Sequence, residues 1–282
     1  MQCSWNAFIN LLPNRIRYDV DKHGKDALLE VRLRLGNPPM LVFPDRTITL
    51  KTVVNSDDLK NCIHYSSQYS PWAADTLKQG YITAPGGHRI GIFGRYNRHE
   101  TQGWILQTPT MLCLRVARDF AGIAASLCPI DKSILIIGPP GSGKTTMLRD
   151  LIRQYSQQRV GNISVIDERE ELFPRHQGYL CFYPGERTDV LSGCSKQSGI
   201  EWALRNMTPS VIAVDEITAS DDSTAILHAA WCGVSLFATA HAGNIEDLRS
   251  RPAYSEILKH RLFQTLLIMR PDKSWYAERI YT

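Results

Sequence analysis

Eight consecutive residues, Gly138-Pro139-Pro140-Gly141-Ser142-Gly143-Lys144-Thr145, have the composition of a phosphate-binding loop. Glycines at 138, 141 and 143 permit a backbone path that gathers several N–H groups around one anion. Lys144 has the charge and reach to meet β- and γ-phosphate oxygens, and the Thr145 hydroxyl can ligate Mg²⁺. Thr146 follows in the first helical turn and completes the expected nucleotide-binding set. Such a loop needs a buried strand before it and a helix after it. The β-branched run Ser133–Ile137 supplies the first, and a helical pattern from Lys144 to about Gln157 the second. ATP and Mg²⁺ are the ligands this chemistry calls for.

A second group of residues can do chemistry on a bound nucleotide. The apolar run Val211-Ile-Ala-Val214 ends in Asp215-Glu216, carboxylates at the carboxyl end of a core strand, where open α/β sheets bind ligands. Asp215 is expected to hold Mg²⁺ through water, and Glu216 to orient or deprotonate the attacking water. Asp167-Glu168-Arg169-Glu170-Glu171 follows the strand expected over Asn162–Ile166. Glu168 there is a candidate for positioning water, although a charge run of this kind serves equally well as solvated surface. Thr239-Ala240-His241 closes the strand expected over Ser235–Thr239. His241 reads either as a structural imidazole or as a γ-phosphate sensor.

The elements around these residues divide the chain in two. From Asp131 onward strands and helices alternate, with a closing pair at Phe263–Met269 and Trp275–Tyr281 around Pro271-Asp272. That rhythm predicts an α/β, three-layer P-loop NTPase domain of the RecA-like kind over 130–282. Residues 1–122 predict an N-terminal α+β domain, joined by a linker near Phe120–Pro129. In it, Glu30–Leu35 alternates charged and apolar residues as a half-buried strand does. Met40–Phe43 and Thr47–Thr52 predict a hairpin, and Ser56 caps a helix reaching about Tyr69. Gly80–Thr83, His88–Tyr96 and Thr110–Ala117 predict strands, the last two separated by Thr101-Gln102-Gly103.

Composition narrows the function classes. The 282 residues carry 32 Lys+Arg against 28 Asp+Glu, a net charge of +4 too mild to argue for a polyanion partner. No arginine- or lysine-rich stripe interleaved with aromatics is present, which speaks against direct nucleic-acid contact. An ATPase linked to single-stranded nucleic acid is therefore the alternative reading rather than the leading one. Seven scattered cysteines, without metal-ligand spacing, are expected as free thiols. No signal peptide is expected, and no apolar run approaches the ~20 residues of a membrane span. The expected location is the cytoplasm, with recruitment to a membrane through a partner.

The blocks occur in the order of the secretion ATPases of the type II and type IV pilus class, and the chain resembles them. Asp167–Glu171 is similar to their acidic box, Leu204–Ile217 to their arginine-led Walker B box, and Leu236–His241 to their histidine box. Asp215 departs from the pattern, because those motors commonly carry glycine before the glutamate. A nearer resemblance is to the stage III sporulation protein AA family. Gly80-Tyr-Ile-Thr-Ala-Pro-Gly-Gly-His-Arg-Ile-Gly91, Gly185-Glu-Arg-Thr-Asp-Val-Leu-Ser-Gly-Cys-Ser-Lys196, Met207–Ile217 and Ala238–His241 carry it. That resemblance implies a hexameric ATPase at the mother-cell face of the septal membranes, acting with membrane proteins of a sporulation channel into the forespore. The resemblance to the secretion ATPases further implies Arg205 in the Walker B lead-in as a catalytic candidate. Arg89, Arg95 and Arg115 are implied as arginines reaching nucleotide phosphates from the N-terminal domain. Arg187, Asp189 and Lys196 are assigned to a subunit interface or pore.

Overall fold

The computed structural model describes residues 2–24, 27–68, 77, 80–99, 103–130, 132–158, 161–218 and 220–280. Tyr69, Asp131, Tyr281 and the turn residues Thr101-Gln102 lie outside the described residues. The chain forms two compact units, one of Met1–Asp119 with Pro174–Phe182, the other of Phe120–Phe173 with Tyr183–Thr282. The excursion at 174–182 is a feature that the sequence pattern did not reveal.

The first unit is built on strands β1 (Glu30–Arg34), β2 (Met40–Val42), β3 (Thr47–Thr49), β4 (Tyr81–Thr83), β5 (Arg89–His99) and β6 (Gly103–Arg115). They form a six-stranded antiparallel sheet in the order β3-β2-β1-β6-β5-β4. In β1 the charged residues Glu30, Arg32 and Arg34 alternate with fully buried Val31 and Leu33, as a sheet with one packed face requires. Helices Trp5–Asn10, Asn14–Gly24 and Ser56–Ser67 supply Phe8, Ile16, Val20 and Leu59 to the same core as Leu33, Ile90 and Leu112. The third helix is capped by Asn55 rather than Ser56. The Asn55 side chain accepts from Asp58 N–H, and the Asp58 carboxylate accepts from Asn55 N–H, a reciprocal capping box.

The second unit contains β7 (Ile134–Ile137), β8 (Ile163–Asp167), β11 (Thr188–Ser192), β12 (Val211–Val214), β13 (Ser235–Ala240), β14 (Thr265–Met269) and β15 (Trp275–Arg279). Two short strands between them, β9 (Arg175–His176) and β10 (Tyr179–Leu180), form the hairpin of the 174–182 excursion. The seven-stranded sheet runs β11-β8-β12-β13-β7-β14-β15, all parallel except the last pairing. Strand alternation divides its apolar residues between two faces. Leu135, Ile137, Ile212, Val214, Leu236 and Ala238 cluster with Ile200, Ile226 and Ile257 of helices Lys196–Asn206, Ser220–Trp231 and Pro252–Lys259. Phe237, of opposite parity, meets Tyr155 of helix Lys144–Gln158 edge-on at 5.6 Å. A sheet with helices on both faces is the three-layer arrangement the sequence predicts.

The helix Lys144–Gln158 carries a buried polar trio along its length. Asp150 accepts from Gly122 N–H, Ala124 N–H and Arg153, while Arg149 donates to the Glu171 and Leu172 carbonyls. Arg153 also reaches the Tyr183 carbonyl. These bonds tie down the loop residues 120–124, 171–172 and 183, each near a point where the chain leaves or re-enters the second unit. All seven cysteines are free. Among the described residues no helix is long and apolar enough to cross a membrane.

Candidate functional site

Parallel register aligns the carboxyl ends of the central strands. Ile166 of β8 and Ala238 of β13 both pair with Val214 of β12, so the residues that follow them, Asp167, Asp215 and Thr239, end up in one row. Thr239 organises the centre of that row. Its hydroxyl donates to Asp215 Oδ1 at 2.6 Å and accepts from Glu216 N–H at 2.8 Å. Thr145, from the loop helix, donates to the other Asp215 oxygen at 3.0 Å. Two hydroxyls from two elements thus orient one carboxylate. Burial pushes the Asp215 carboxyl up from its ordinary value, with the Thr239 and Thr145 hydrogen bonds opposing that shift.

The loop closes between β7 and helix Lys144–Gln158. Gly138 cannot carry a side chain, because a Cβ there would lie 2.7 Å from both the Met269 carbonyl and the Ser142 hydroxyl. The Lys144 ammonium turns back on its own loop. It donates to the Gly138 carbonyl at 2.9 Å and the Pro139 carbonyl at 3.0 Å, and lies 2.9 Å from His241 Nδ1. His241 Nε2 is 3.2 Å from Glu216 Oε1. With an ammonium donating to Nδ1, the imidazole proton is assigned to Nε2 and faces the glutamate. Burial lowers the Lys144 ammonium below its ordinary value, opposed by Asp215 and Glu216. Glu216 itself sits at φ 45°, a left-handed conformation costly for a non-glycine residue and found preferentially at functional sites.

The donor set fits a magnesium nucleotide. Thr145 and Asp215 offer a hydroxyl and a carboxylate oxygen side by side, the hard oxygen ligands that Mg²⁺ takes alongside phosphate oxygens and water. Among the described residues no group of three or more His, Cys, Asp or Glu is placed to enclose a metal alone. Ser142 adds a buried hydroxyl with no hydrogen-bond partner among the described residues, at the centre of the loop. An unsatisfied donor beside an ammonium and a helix N-terminus suits an incoming anion. Pro140 and Gly141 are exposed at the loop's crest, and Thr146 is half-buried in the first turn.

The other candidate residues separate. Asp167 is buried, not solvated: its carboxylate accepts from the backbone N–H groups of Glu171, Leu172 and Phe173, shaping the turn after β8. Burial pushes that carboxyl up, with the three N–H groups opposing. Glu168 pairs with Lys196 at 2.8 Å. Lys196 is therefore no exposed interface or pore residue of its own chain; it is buried, within one unit, beside the acidic run. Arg205 lies toward the other end of the same helix as Lys196. It is exposed in the last turn of helix Lys196–Asn206, and nine residues at 1.5 Å rise place it about 13 Å along the helix from Lys196. Arg187 and Asp189 are exposed. In the first unit, Arg89 and Arg115 are cross-strand neighbours, Arg89 lies 3.9 Å over the Tyr81 ring, and Arg95 is exposed.

Two residues take a place in the structure that the sequence did not show. Thr239 was visible only as part of a strand end, and nothing in its type marked it as the orienter of Asp215. Lys196 did leave a signal: it directly follows the N-cap Ser195, where a cation opposes the helix dipole.

The sequence profile of the family described as sporulation stage III, protein AA matches residues 5–280. Stage III sporulation protein AA of Bacillus subtilis (strain 168) is 35% identical over 275 residues, covering 93% of this chain and 90% of that protein. Among solved structures, the pilus retraction motor PilT with bound ADP superposes with a TM-score of 0.62 at 18% identity, over 90% of this chain and 76% of that one. The ATPase DotB of Legionella pneumophila gives 0.56 at 16% identity, over 94% and 78%. At such identities the likeness establishes the fold, which is that of P-loop secretion ATPases.

Proposed function

The chain belongs to the sporulation stage III, protein AA family, and we propose that it is a Mg²⁺-dependent ATP hydrolase working as a homo-oligomeric motor, in a hexamer, for a sporulation channel. One observation carries the hydrolytic part: Lys144, His241 and Glu216 form a continuous run of polar contacts beside the hydrogen-bonded Thr145–Asp215–Thr239 chain, at the carboxyl ends of neighbouring parallel strands. The first chain holds the groups for the phosphate and the water; the second holds the groups for the ion. That two neighbours of the same fold are a pilus retraction motor and an ATPase supports the reading.

Lys144 exchanges its carbonyl and imidazole partners for β- and γ-phosphate oxygens when nucleotide enters the loop. Thr145 and Asp215 would hold Mg²⁺, whose charge, when bound, offsets the negative charge shared by the β- and γ-phosphates. Glu216 orients a water toward the γ-phosphorus and accepts its proton as the water oxygen bonds to phosphorus and the bond to the β–γ bridging oxygen breaks. ADP and inorganic phosphate result. Loss of the Lys144 bond leaves His241 Nδ1 available, so the imidazole can follow the γ-phosphate while Nε2 stays with Glu216. The N-terminal arginines Arg89, Arg95 and Arg115, together with Arg205, are proposed to act across subunit boundaries. The chain itself is proposed to work in the cytoplasm at the septal membrane of the mother cell.

Glu216→Gln tests the assignment. Binding of a fluorescent ATP analogue is expected to persist while turnover falls about 10²-fold or more. Normal turnover by that variant removes Glu216 from its role. A rate per subunit that stays constant on dilution through the dissociation range removes the assembled-motor part of the proposal.

A further inference from the structure

Lys196 is a cation where neither its helix nor its burial favours one. It opens helix Lys196–Asn206 directly after the N-cap, and only 6% of the residue is exposed. The helix dipole disfavours positive charge there, and a buried ammonium costs several kcal/mol unless carboxylates compensate it. Two carboxylates do. Nζ lies 2.8 Å from Glu168 Oε2 and 3.6 Å from Asp222 Oδ2.

The helix is seated close against β8. Gly199 lies one turn along, and a Cβ there would come within 2.5 Å of the Ile166 Cγ2 on β8. Helix backbone and strand side chain are thus in direct apposition. Glu168 follows Ile166 by two residues, in the turn that begins where β8 ends. On the other side, Asp222 belongs to the first turn of helix Ser220–Trp231, and its Oδ2 also accepts from the Thr218 N–H at 3.0 Å and hydroxyl at 3.3 Å. Thr218 lies two residues beyond Glu216. A single ammonium therefore joins the end of β8 to the loop that carries Glu216. The Glu168 side chain remains 40% exposed although one oxygen is fixed on Lys196.

We propose that Lys196 is a positioning residue for the hydrolytic site. It sets the direction of the Glu168 carboxylate, so that this acid orients the water that Glu216 deprotonates, and the pairing with Asp222 fixes the ammonium in place for that task. This rests on the ATPase reading above.

The full-length chain, Lys196→Met, Lys196→Arg, Glu168→Gln and the Lys196→Met/Glu168→Gln double variant are compared for turnover at saturating MgATP and for affinity of a fluorescent ADP analogue. Misplacing a reacting group by about an ångström costs roughly 10²-fold. Lys196→Met is accordingly expected to lower kcat about 10- to 100-fold with analogue affinity unchanged within about 2-fold. Lys196→Arg should recover kcat to within about 3-fold, and the double variant should be no slower than Glu168→Gln beyond about 2-fold. Wild-type kcat in Lys196→Met, a loss confined to affinity, or multiplicative losses in the double variant overturn the proposal. Should Lys196→Met fail to fold, Glu168→Asp decides. It withdraws the carboxylate by one methylene from an intact Lys196, and wild-type kcat in that variant overturns the proposal as well. An unaltered chain that neither binds nor hydrolyses ATP overturns the ATPase reading and this inference with it; the other contrary outcomes overturn this inference alone.

Discussion

His88 in the first unit and Lys144 in the second are both buried and polar, yet their partners differ in kind. His88 Nε2 lies 3.0 Å from the Ser4 carbonyl, its Nδ1 accepts from Ala117 N–H at 3.0 Å, and the Phe8 ring meets it edge-on. Both nitrogens are thus committed to backbone from distant parts of the unit. Lys144 is bonded to the carbonyls of its own loop and to His241, and beside it Ser142 has no partner among the described residues. The first arrangement closes a structure. The second is saturated only provisionally, by groups that a phosphate can replace. Buried polarity with its bonding complete marks architecture; buried polarity with exchangeable or missing partners marks a site.

Lys144→Ala is the most forceful test of that distinction. If the ammonium serves the ligand and not the fold, nucleotide affinity should fall about 10³-fold, roughly 4 kcal/mol, while the denaturant midpoint moves little. Titration with a fluorescent nucleotide, beside urea unfolding, measures both. A variant that keeps its affinity but unfolds early would place Lys144 with the architecture.

Asp150→Ala asks the same question with the opposite expectation. Asp150 is fully buried in the second unit and accepts from Arg153 and from two backbone N–H groups. Removing it takes the Asp150 carboxylate from a buried guanidinium, which keeps the Tyr183 carbonyl, and the side-chain acceptor from two amides. The unfolding free energy should fall by about 3–5 kcal/mol. At temperatures where the variant is folded, nucleotide affinity should change less than about tenfold. A loss of stability below about 1 kcal/mol would break the rule that saturated buried groups are structural.

His88 extends the comparison to pH. Burial holds its imidazole down to about 4, with the Ser4 hydrogen bond opposing and Arg118 assisting. In an unfolded chain the ordinary value is about 6.5. Because the folded value is the lower, the unfolded state binds more protons between the two, and stability declines as pH is lowered from about 6.5 to about 4. The loss approaches about 3 kcal/mol, from a difference of about 2.5 units at 1.36 kcal/mol each. His88→Gln should be less stable at pH 7 and lack this slope. Parallel pH profiles for the two proteins would remove His88 as the cause.

What was legible in the sequence follows the same division. The loop could be read because glycines, a lysine and a hydroxyl at fixed offsets serve one anion, and local spacing carries all of it. β1 could be read because Val31 and Leu33 alternate with charge. Features made by tertiary contact could not. Asn55 and Ser56 are both competent caps, and only the Asp58 side chain bonding back to Asn55 chooses between them. Within Asp167–Glu171, composition does not tell which acid turns inward, and the buried one proved to be Asp167. The two-residue strands β9 and β10 are too short for any periodicity. Arg205 was named from its place in a motif, and the motif does not tell that it would stand exposed in the last turn of a helix.

Ser142 gives the smallest predicted effect and the finest test. The residue is 1% exposed, and its hydroxyl stands buried in the loop that binds phosphate under this reading, with no partner among the described residues. A buried hydroxyl left unsatisfied costs about 1–3 kcal/mol, so Ser142→Ala removes that cost along with the weak packing of one oxygen. The unliganded chain should keep its stability within about 0.5 kcal/mol or gain up to about 1 kcal/mol. The contrast then lies in the stabilisation by saturating MgADP, which should be smaller in Ser142→Ala than in the unaltered chain, because binding no longer completes the hydroxyl's bonding. Thermal unfolding with and without nucleotide separates the two quantities. A variant destabilised without ligand by more than about 1 kcal/mol would mean that the hydroxyl is already satisfied, and the loop would then belong with His88 rather than opposite it.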